Sequence, residues 1–299
     1  AGAEGGRGPT PICAIGASAG GVRALQAFFR QVPKNLGLSY VVILHVSPDH
    51  PSAMAEILAG VTDMPVRQVT DAPRLEADSV YVIPPDRELV IDGDDVTARP
   101  FSAPRGHRAP IDMFFQSIAA ARGDGLAIVL SGAGSDGATG VRAVKEAGGV
   151  VLVQEPAEAE YAMMPQSAIA TGAADFVGRI ETLVERVVEV TQSKEAVRAL
   201  DFDEDDRNLR RILGSLRARI GHDFANYKRA TIQRRIARRM QVTRISDLRA
   251  YSEYLVGNPE EAQALFDDLL ICVTGFFRDA ASFETLAERA IGPILDGAQ

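Results

Sequence analysis

The chain has 299 residues, 46% of them hydrophobic, and a formal net charge of −8, which is typical of a well-packed protein large enough for two domains. No apolar run is long enough to span a bilayer. Residues 1–10 lack the apolar core of a signal peptide, and we interpret them as a linker or a cloning remnant. We expect a cytoplasmic protein without membrane insertion. Its two distant cysteines, Cys13 and Cys272, predict neither a disulfide framework nor a zinc site.

Residues 11–192 alternate short apolar runs with amphipathic segments. The apolar runs include ICAIGA, YVVILHV, LAIVLSG and VVLVQE, and helical patterns such as RALQAFFRQV and TGVRAVKEAGG lie between them. Continuous apolar strands separated by helices are typical of a parallel sheet that is buried on both faces. The stretch VYVIPPDRELVIDGDDVTARP departs from this rhythm, because Pro-Pro and Gly-Asp-Asp turns separate its period-2 runs. We therefore predict an α/β domain with a doubly wound, mostly parallel sheet and a β-hairpin insertion.

The remainder of the chain shows no strand pattern. Residues 193–206 are polar and acidic and predict a solvated linker, and amphipathic segments such as RNLRRILGSLRARIG and ISDLRAYSEYLVG follow. We predict a small all-α domain over residues 207–285. Between positions 207 and 249 there are thirteen basic residues and only two acids, Asp223 and Asp247, so this part differs in charge from the acidic remainder.

The first predicted strand runs directly into GASAGG (residues 16–21) and then into a helical pattern. A dinucleotide-binding loop would need G-x-G-x-x-G and a P-loop would need Gly-Lys-Ser/Thr, so phosphate binding fits poorly. The G-x-S-x-G pattern at a strand–turn–helix junction is instead that of a nucleophile elbow, which exposes Ser18 at the carboxyl end of the strand. A plain β–α turn eased by glycine is the alternative, and further residues must decide between the two.

Two further residues favour the interpretation of Ser18 as a nucleophile. His45 ends the second predicted strand, and Asp136 lies in the glycine-rich loop after LAIVL. In a parallel sheet both residues emerge at the same edge as Ser18, where a histidine could accept the serine proton and a carboxylate could orient the imidazole. Each also has an ordinary alternative role, as a structural histidine and as a helix N-cap. The chain order Ser, His, Asp differs from that of the α/β-hydrolases.

These pieces together closely resemble the catalytic domain of the chemotaxis protein-glutamate methylesterases, the CheB family. The matching segments, in the family's order, are AIGASAGG, VILHVSPDH, GHRAPIDMFFQSIA, LSGAGSDGATGVRAVKEAGG and MMPQSAIATGAADFV. The resemblance implies a cofactor-independent hydrolase that removes methyl esters from glutamates of chemoreceptor helices and that can deamidate certain glutamines. It also implies that Ser18 is the nucleophile, that His45 is the general base and acid, and that Asp136 orients the imidazole.

The resemblance extends to the borders of the site. It implies backbone oxyanion donors at Ala19 and Ala133, where the family commonly has Thr and Met, and both alanines keep the N–H group. It places His107 and Arg108 on a substrate-binding loop that borders the site. The family usually carries a receiver domain ahead of the catalytic domain, and since these 299 residues contain no such sequence we expect a different mode of control.

The segment YKRATIQRRIARRM predicts a helix with a dense arginine surface. Ile232, Ile236 and Met240 form one apolar stripe, and arginines lie opposite and beside it. Such a surface suits nucleic acid or an acidic protein, or is simply solvated. Nucleic acid is the less favoured partner, since the segment lacks interleaved aromatic residues and a recognisable DNA-binding motif.

From about residue 206 onward the chain resembles the N-terminal helical domain of the chemotaxis receptor methyltransferases, the CheR family. The most specific segments are HDFANYKRATIQRRIARRM and LLICVTGFFRD. The resemblance implies that Arg235, Arg238 and Arg239 face an anionic receptor, and that Thr274 and Arg278 contribute to an S-adenosylmethionine pocket. Capping and solvating a helix is the alternative role for the last two residues.

We therefore expect a CheB–CheR hybrid whose methyltransferase domain only starts in residues 286–299, and we expect S-adenosylmethionine only for a complete parent protein. The predicted function is that of a protein-glutamate methylesterase acting on a chemoreceptor-type methylated helical protein. A non-catalytic signalling scaffold with a decayed esterase site is the main alternative, because Ala19 and Ala133 depart from the family pattern. Nucleic-acid binding through the basic helix is a third possibility.

Overall fold

The computed structural model of the protein describes residues 9–45, 52–104, 107–123, 125–198, 205–224 and 227–270. Within these ranges the elements follow in the order β1 (Ile12–Ala17), α1 (Gly21–Gln31), β2 (Ser39–Leu44), α2 (Met54–Ala59), β3 (Val66–Gln68), β4 (Ser79–Val82), β5 (Arg87–Asp92), β6 (Asp95–Pro100), α3 (Pro110–Ala121), β7 (Leu126–Val129), α4 (Ala138–Ala147), β8 (Val150–Gln154), α5 (Met163–Ala170), β9 (Phe176–Gly178), α6 (Ile180–Arg198), α7 (Asp206–Ile220), α8 (Arg229–Thr243), α9 (Leu248–Gly257) and α10 (Pro259–Leu270).

Seven strands form one sheet in the order β3-β4-β2-β1-β7-β8-β9, and every neighbouring pair is parallel. Strands β5 and β6 form a separate antiparallel hairpin. From β1 the chain continues to β2 on one side, and it later adds β7 on the other side, so the strand order reverses at β1. The parallel sheet, the hairpin and the helices that follow confirm the predicted fold class.

The sheet is buried on both faces. Cys13 and Ile15 of β1 belong to a core with α1, α2 and α6, whereas Ile12 and Ala14 belong to a core on the other face with α3, α4 and α5. All six residues of β1 and all six of β2 are buried. This two-sided burial explains why the strands appear in the sequence as unbroken apolar runs. Cys13 is a buried free thiol, and Cys272 lies outside the described residues.

Helix α6 belongs to both parts of the protein. Leu183 and Val187 in its first half pack into the core of the α/β part, and Val197 near its end packs into the core of the helical part. The helix continues to Arg198. It therefore covers the beginning of segment 193–206, which the sequence predicts as a linker, and the two parts share one helix.

Helices α7 to α10 surround a second, smaller core. The predicted apolar stripe of α8, formed by Ile232, Ile236 and Met240, is buried in this core together with residues such as Tyr251 and Leu265. Among the described helices, none has the length and apolar character needed to cross a membrane.

The helical part docks on the α/β part through Arg238 of α8. The Arg238 guanidinium is fully buried and contacts Asp175, which precedes β9, and Asp268 of α10. Its Nε atom also donates to the carbonyl oxygen of Gly149 at 2.9 Å. A single cation therefore pairs with one carboxylate from each part of the protein, and Lys145 Nζ, 3.9 Å from the Asp175 carboxylate, is a second cation beside them.

A second arginine of α8 strengthens this contact. Arg235 Nη1 donates to the carbonyl oxygen of Lys145 at 2.9 Å, in the last turn of α4. Backbone carbonyls at a helix C-terminus lack partners within the helix and attract cations. The helical part thus docks at the edge of the sheet where the strands begin, since α4 ends there and leads into β8.

Replacing Arg238 should separate the effect of this contact from that of ordinary surface charges. We expect Arg238→Met to lower the free energy of unfolding by about 3–5 kcal/mol, because it removes the buried cation that Asp175 and Asp268 share and leaves only Lys145, 3.9 Å from Asp175, beside them. Arg249→Met is the matched control, since Arg249 forms an exposed pair with Glu253 and should cost at most about 1 kcal/mol. Urea denaturation followed by circular dichroism measures both, and equally small losses would contradict a stabilising role for Arg238.

Candidate active site

Ser18, His45 and Asp136 lie at the ends of three neighbouring strands. Ser18 follows β1, His45 follows β2, and Asp136 lies in the loop between β7 and α4. Because β2, β1 and β7 are adjacent and parallel, their carboxyl ends share one edge of the sheet. The strand order reverses at this point, and ligands of open α/β sheets bind in the crevice that such a reversal creates.

A continuous chain of hydrogen bonds connects the three side chains. Ser18 Oγ lies 3.1 Å from His45 Nδ1, and His45 Nε2 lies 2.8 Å from Asp136 Oδ2. An ionised carboxylate only accepts hydrogen bonds, so the ring proton belongs on Nε2, and Nδ1 is left to accept the serine hydroxyl proton. The His45 side chain is 34% exposed and that of Asp136 is 8% exposed. The imidazole therefore reaches solvent, whereas its carboxylate partner is shielded.

The first turn of α3 fixes the Asp136 carboxylate. The backbone N–H of Ile111 donates to Asp136 Oδ2 at 3.0 Å, and that of Asp112 donates to Oδ1 at 2.8 Å. N–H groups in the first turn of a helix have no acceptor within the helix, and the positive end of the helix dipole stabilises a carboxylate. Together with His45 Nε2, three donors hold the ionised carboxylate in one orientation.

Ser18 sits in a tight turn that only a glycine at position 20 permits. Its N–H donates to the carbonyl oxygen of Ser131 at 2.9 Å, and its own carbonyl oxygen accepts from Gly21 N–H at 2.8 Å. Gly20 has a φ of +70°, and a Cβ atom there would lie 2.7 Å from both Glu160 Cβ and Ser131 Oγ. The small residues of GASAGG thus allow the backbone to turn directly after the serine.

Ser131 is a residue of the site that the sequence reasoning missed. Its buried hydroxyl donates to the carbonyl oxygen of Ala19 and accepts from the N–H of Tyr161, both at 2.9 Å. Its N–H donates to the buried Gln154 Oε1 at 2.9 Å. Ser131 therefore joins the turn after β1 to the segments that follow β7 and β8. A serine after a strand is too common to signal this role.

Among the described residues, two backbone N–H groups near the serine have no hydrogen-bond acceptor. In the part of the chain that the structure describes, no hydrogen bond uses the N–H of Ala19 or of Ala133. The loop is nevertheless anchored at Gly132, whose N–H donates to the carbonyl oxygen of Tyr161 and whose carbonyl oxygen accepts from the N–H of Met164, both at 3.0 Å. Unsatisfied N–H groups on an anchored loop are suited to bind an anion.

His107 and Arg108 precede α3, whose first turn binds Asp136. His107 is exposed. Arg108 Nη1 contacts Asp86 Oδ1 at 2.6 Å, and its guanidinium carbon lies 4.3 Å from the centre of the Phe101 ring. The structure therefore restrains Arg108 on the segment that enters the site, and substrate binding by these two residues stays a prediction.

The three arginines of α8 that were expected to face an anionic partner do not form a free surface, which corrects that expectation. Arg235 and Arg238 are 3% and 1% exposed. Arg239 is bound through two contacts, of 2.9 and 2.5 Å, to the buried Glu261. All three guanidinium groups are engaged inside the protein, where they join helices and domains. Thr274 and Arg278, expected near a cofactor, lie outside the described residues.

The fold and the site define an α/β protein with a serine, a histidine and an aspartate aligned at the carboxyl edge of a parallel sheet, an arrangement typical of serine hydrolases. The family profile described as CheB methylesterase matches residues 13–187, and that described as the all-alpha domain of CheR methyltransferase matches residues 207–270. The chain therefore belongs to the CheB methylesterase family and carries a CheR-type helical domain after it.

Individual relatives agree with this assignment. The crystal structure of the Thermotoga maritima CheB methylesterase catalytic domain matches with a TM-score of 0.56 and 27% identity, over 60% of this chain and 97% of that one. A putative protein-glutamate methylesterase/protein-glutamine glutaminase of Leptospira interrogans is 31% identical, over 60% of this chain and 94% of the relative. A 104.1 kDa protein of Rhodobacter capsulatus is 40% identical over 81% of this chain, which spans only 28% of that relative.

Removing the Ser131 hydroxyl tests whether it supports the turn that carries Ser18. We expect Ser131→Ala to lower the free energy of unfolding by about 1–3 kcal/mol, because it removes two part-buried hydrogen bonds, one to the carbonyl oxygen of Ala19 and one from the N–H of Tyr161. Ser215→Ala is a suitable control, since that hydroxyl only bonds the carbonyl oxygen of Arg211 within its own helix. Thermal or denaturant unfolding measures the difference, and equal stability of the two variants would contradict the bridging role.

Proposed function

We propose that the protein is a protein-glutamate methylesterase, with Ser18 as nucleophile, His45 as general base and then acid, and Asp136 as the residue that orients the imidazole. The observation that supports this proposal most directly is the unbroken hydrogen-bond chain from Ser18 Oγ to Asp136 Oδ2. A structural histidine or a simple helix cap would not require all three groups to align where the strand order reverses.

In the acylation step, His45 Nδ1 takes the hydroxyl proton of Ser18 while Oγ attacks the carbonyl carbon of the ester. The tetrahedral intermediate collapses, the bond to the methoxy group breaks, and the proton on Nδ1 passes to the leaving oxygen to give methanol. Asp136 stabilises the transient imidazolium and does not itself become protonated. An acyl-enzyme on Ser18 remains.

In the deacylation step, a water molecule attacks the acyl-enzyme and gives one proton to His45 Nδ1. Breakdown of the second tetrahedral intermediate returns that proton to Ser18 Oγ and releases the glutamic acid side chain, which loses its remaining proton to solvent and becomes the carboxylate. Both intermediates place a negative charge on the former carbonyl oxygen. We assign the N–H groups of Ala19 and Ala133 to this oxyanion, because they lack acceptors in the described structure.

The substrate class follows from the relatives. The Leptospira interrogans relative is named a putative protein-glutamate methylesterase/protein-glutamine glutaminase. By analogy we assign to this protein the hydrolysis of glutamyl methyl esters and the deamidation of glutamines on a chemoreceptor-type methylated helical protein, in the cytoplasm. His107 and Arg108 are the residues we assign to substrate contact outside the hydrogen-bond chain.

Methyl transfer belongs to a complete parent protein. The CheR-type match covers the all-alpha domain, residues 207–270. S-adenosylmethionine would supply the methyl group in such a parent, and Thr274 and Arg278 are the residues of this chain assigned to it. Neither lies in the described part of the structure.

The two alternative functions have less support. A decayed site would not need to keep Ser18 Oγ and His45 Nδ1 at 3.1 Å or to hold Asp136 with three donors. Nucleic-acid binding through α8 would need a row of exposed guanidinium groups, whereas Arg235 and Arg238 are buried and, of the α8 arginines, only Arg229 and Arg234 are exposed.

Methanol release provides the test of the proposed function. We expect the protein to release methanol from a methyl-labelled receptor cytoplasmic fragment, and we expect Ser18→Ala and His45→Gln to reduce the rate at least about 10³-fold, because each removes a group that forms the acyl-enzyme. Ser215→Ala, in the helical part, should leave the rate unchanged. Undiminished release by Ser18→Ala would contradict the assignment of the nucleophile.

A further inference from the structure

A second carboxylate lies beside the proposed site and takes no part in the reaction described above. Asp112 is in the first turn of α3, and its Oδ1 atom accepts a hydrogen bond of 2.6 Å from the backbone N–H of Gly140. Gly140 is the third residue of α4, and the N-cap of this helix, Gly137, has no side chain to cap it. Asp112 therefore supplies, from a different helix, an acceptor that α4 lacks locally.

Helices α3 and α4 cap each other reciprocally: the first turn of each donates hydrogen bonds to a carboxylate at the start of the other. Asp136, which immediately precedes the N-cap of α4, accepts from the first-turn N–H groups of α3, including that of Asp112 itself. In return the Asp112 side chain accepts from the first turn of α4. Residue 112 is thus a donor to Asp136 through its backbone and an acceptor for α4 through its side chain.

Close approach of the two helices makes this exchange possible. A Cβ atom at Gly140 would lie 2.6 Å from Phe115 Cβ and 3.0 Å from Asp112 Cα, so a larger residue would push the helices apart. Burial raises the pKa of Asp112, as does the Asp136 carboxylate beside it, whereas the N–H groups of Gly140, Gly137 and Thr139 lower it. The N–H groups in the first turns of α3 and α4 stabilise the two neighbouring carboxylates in this buried position.

We propose that Asp112 is a positioning residue of the esterase site, which fixes the N-terminus of α4 and thereby the place of the Asp136 carboxylate relative to His45 Nε2. The inference rests on the proposed function of Ser18, His45 and Asp136. Asp136 is separated from the first residue of α4 only by Gly137, whose φ is +96°, so a shift of the first turn moves the carboxylate with it. A displacement of about 1 Å in a catalytic group is enough to slow a reaction by on the order of 10².

Three variants of Asp112 test the role. Asp112→Ala removes the acceptor and should reduce kcat for methyl ester hydrolysis about 10- to 100-fold with KM nearly unchanged, because the Ser18–His45–Asp136 alignment is disturbed while substrate contacts remain. Asp112→Asn keeps an acceptor oxygen of the same reach and should retain kcat within a few-fold. Asp112→Glu, which moves the carboxylate by one methylene, should give an intermediate loss and keeps the test available if the alanine variant does not fold.

The chain offers a matched control for the loss of a helix cap. Asp247 is the N-cap of α9, and its Oδ2 accepts from Ala250 N–H at 2.7 Å, in the helical part. Both Asp247→Ala and Asp112→Ala should lower the melting temperature, but Asp247→Ala should leave kcat unchanged. An equal fall of kcat in both variants, or an unchanged kcat in Asp112→Ala with the wild-type protein active, would overturn the positioning role.

A second readout separates this inference from the proposed function. The Nε2 proton that His45 shares with Asp136 should give a downfield ¹H NMR resonance, identified by its disappearance in His45→Gln. We expect it to persist in Asp112→Asn and to shift or broaden in Asp112→Ala. If the wild-type protein releases no methanol but the resonance follows this pattern, the proposed function fails and the positioning role stands. A resonance that is identical in wild type and Asp112→Ala would overturn the positioning role.

Discussion

The place of the Asp136 carboxylate depends on three hydrogen-bond donors from two different elements. His45 Nε2 approaches from the end of β2, and the N–H groups of Ile111 and Asp112 approach from the first turn of α3. Because the carboxylate fixes the ring, the opposite ring nitrogen faces Ser18 Oγ, and the alignment of the serine with the imidazole follows from the packing of α3 against the loop before α4. A parallel sheet whose order reverses at β1 is what brings these elements to one edge.

The helical part contacts the opposite end of α4 and of the parallel sheet. Helix α4 starts beside Asp136 and ends about 15 Å away, where Arg235 and Arg238 of α8 bind the carbonyl oxygens of Lys145 and Gly149. Within the described residues, these hydrogen bonds place the helical part at the edge where strands begin. Among the described residues, α8 therefore docks at the edge opposite to the one that carries Ser18.

Much of the fold and the core of the site could be predicted from the sequence, for a simple physical reason. Parallel strands place their carboxyl ends at one edge, so a residue that ends each strand, such as Ser18 or His45, has a predictable neighbourhood. Glycine-rich turns after two of the strands mark the same places in the sequence. The glycine-rich loop after LAIVL made Asp136 the candidate carboxylate, and the family resemblance implied the same residue.

Contacts between distant segments could not be predicted in this way. The periodicity of α8 shows which of its residues are apolar, but it contains no information about the buried Asp175 and Asp268, which neutralise Arg238 and make its burial possible. A charged residue on a polar helix face is ordinarily exposed, and this is why the sequence led us to expect that Arg235 and Arg238 face a receptor. Both are instead buried, because partners from distant segments compensate their charges. The bridge formed by Ser131 depends likewise on the meeting of three loops, which no local pattern encodes.

The central claim is that alignment with His45 makes Ser18 a nucleophile. A serine-directed phosphonate probe, followed by mass spectrometry of the peptides, measures this without any assumption about the physiological substrate. We expect a single adduct on Ser18 whose rate of formation falls sharply in His45→Gln and in Asp136→Asn. A wild-type protein that forms no adduct on Ser18, or an adduct whose rate is the same without His45, would contradict it.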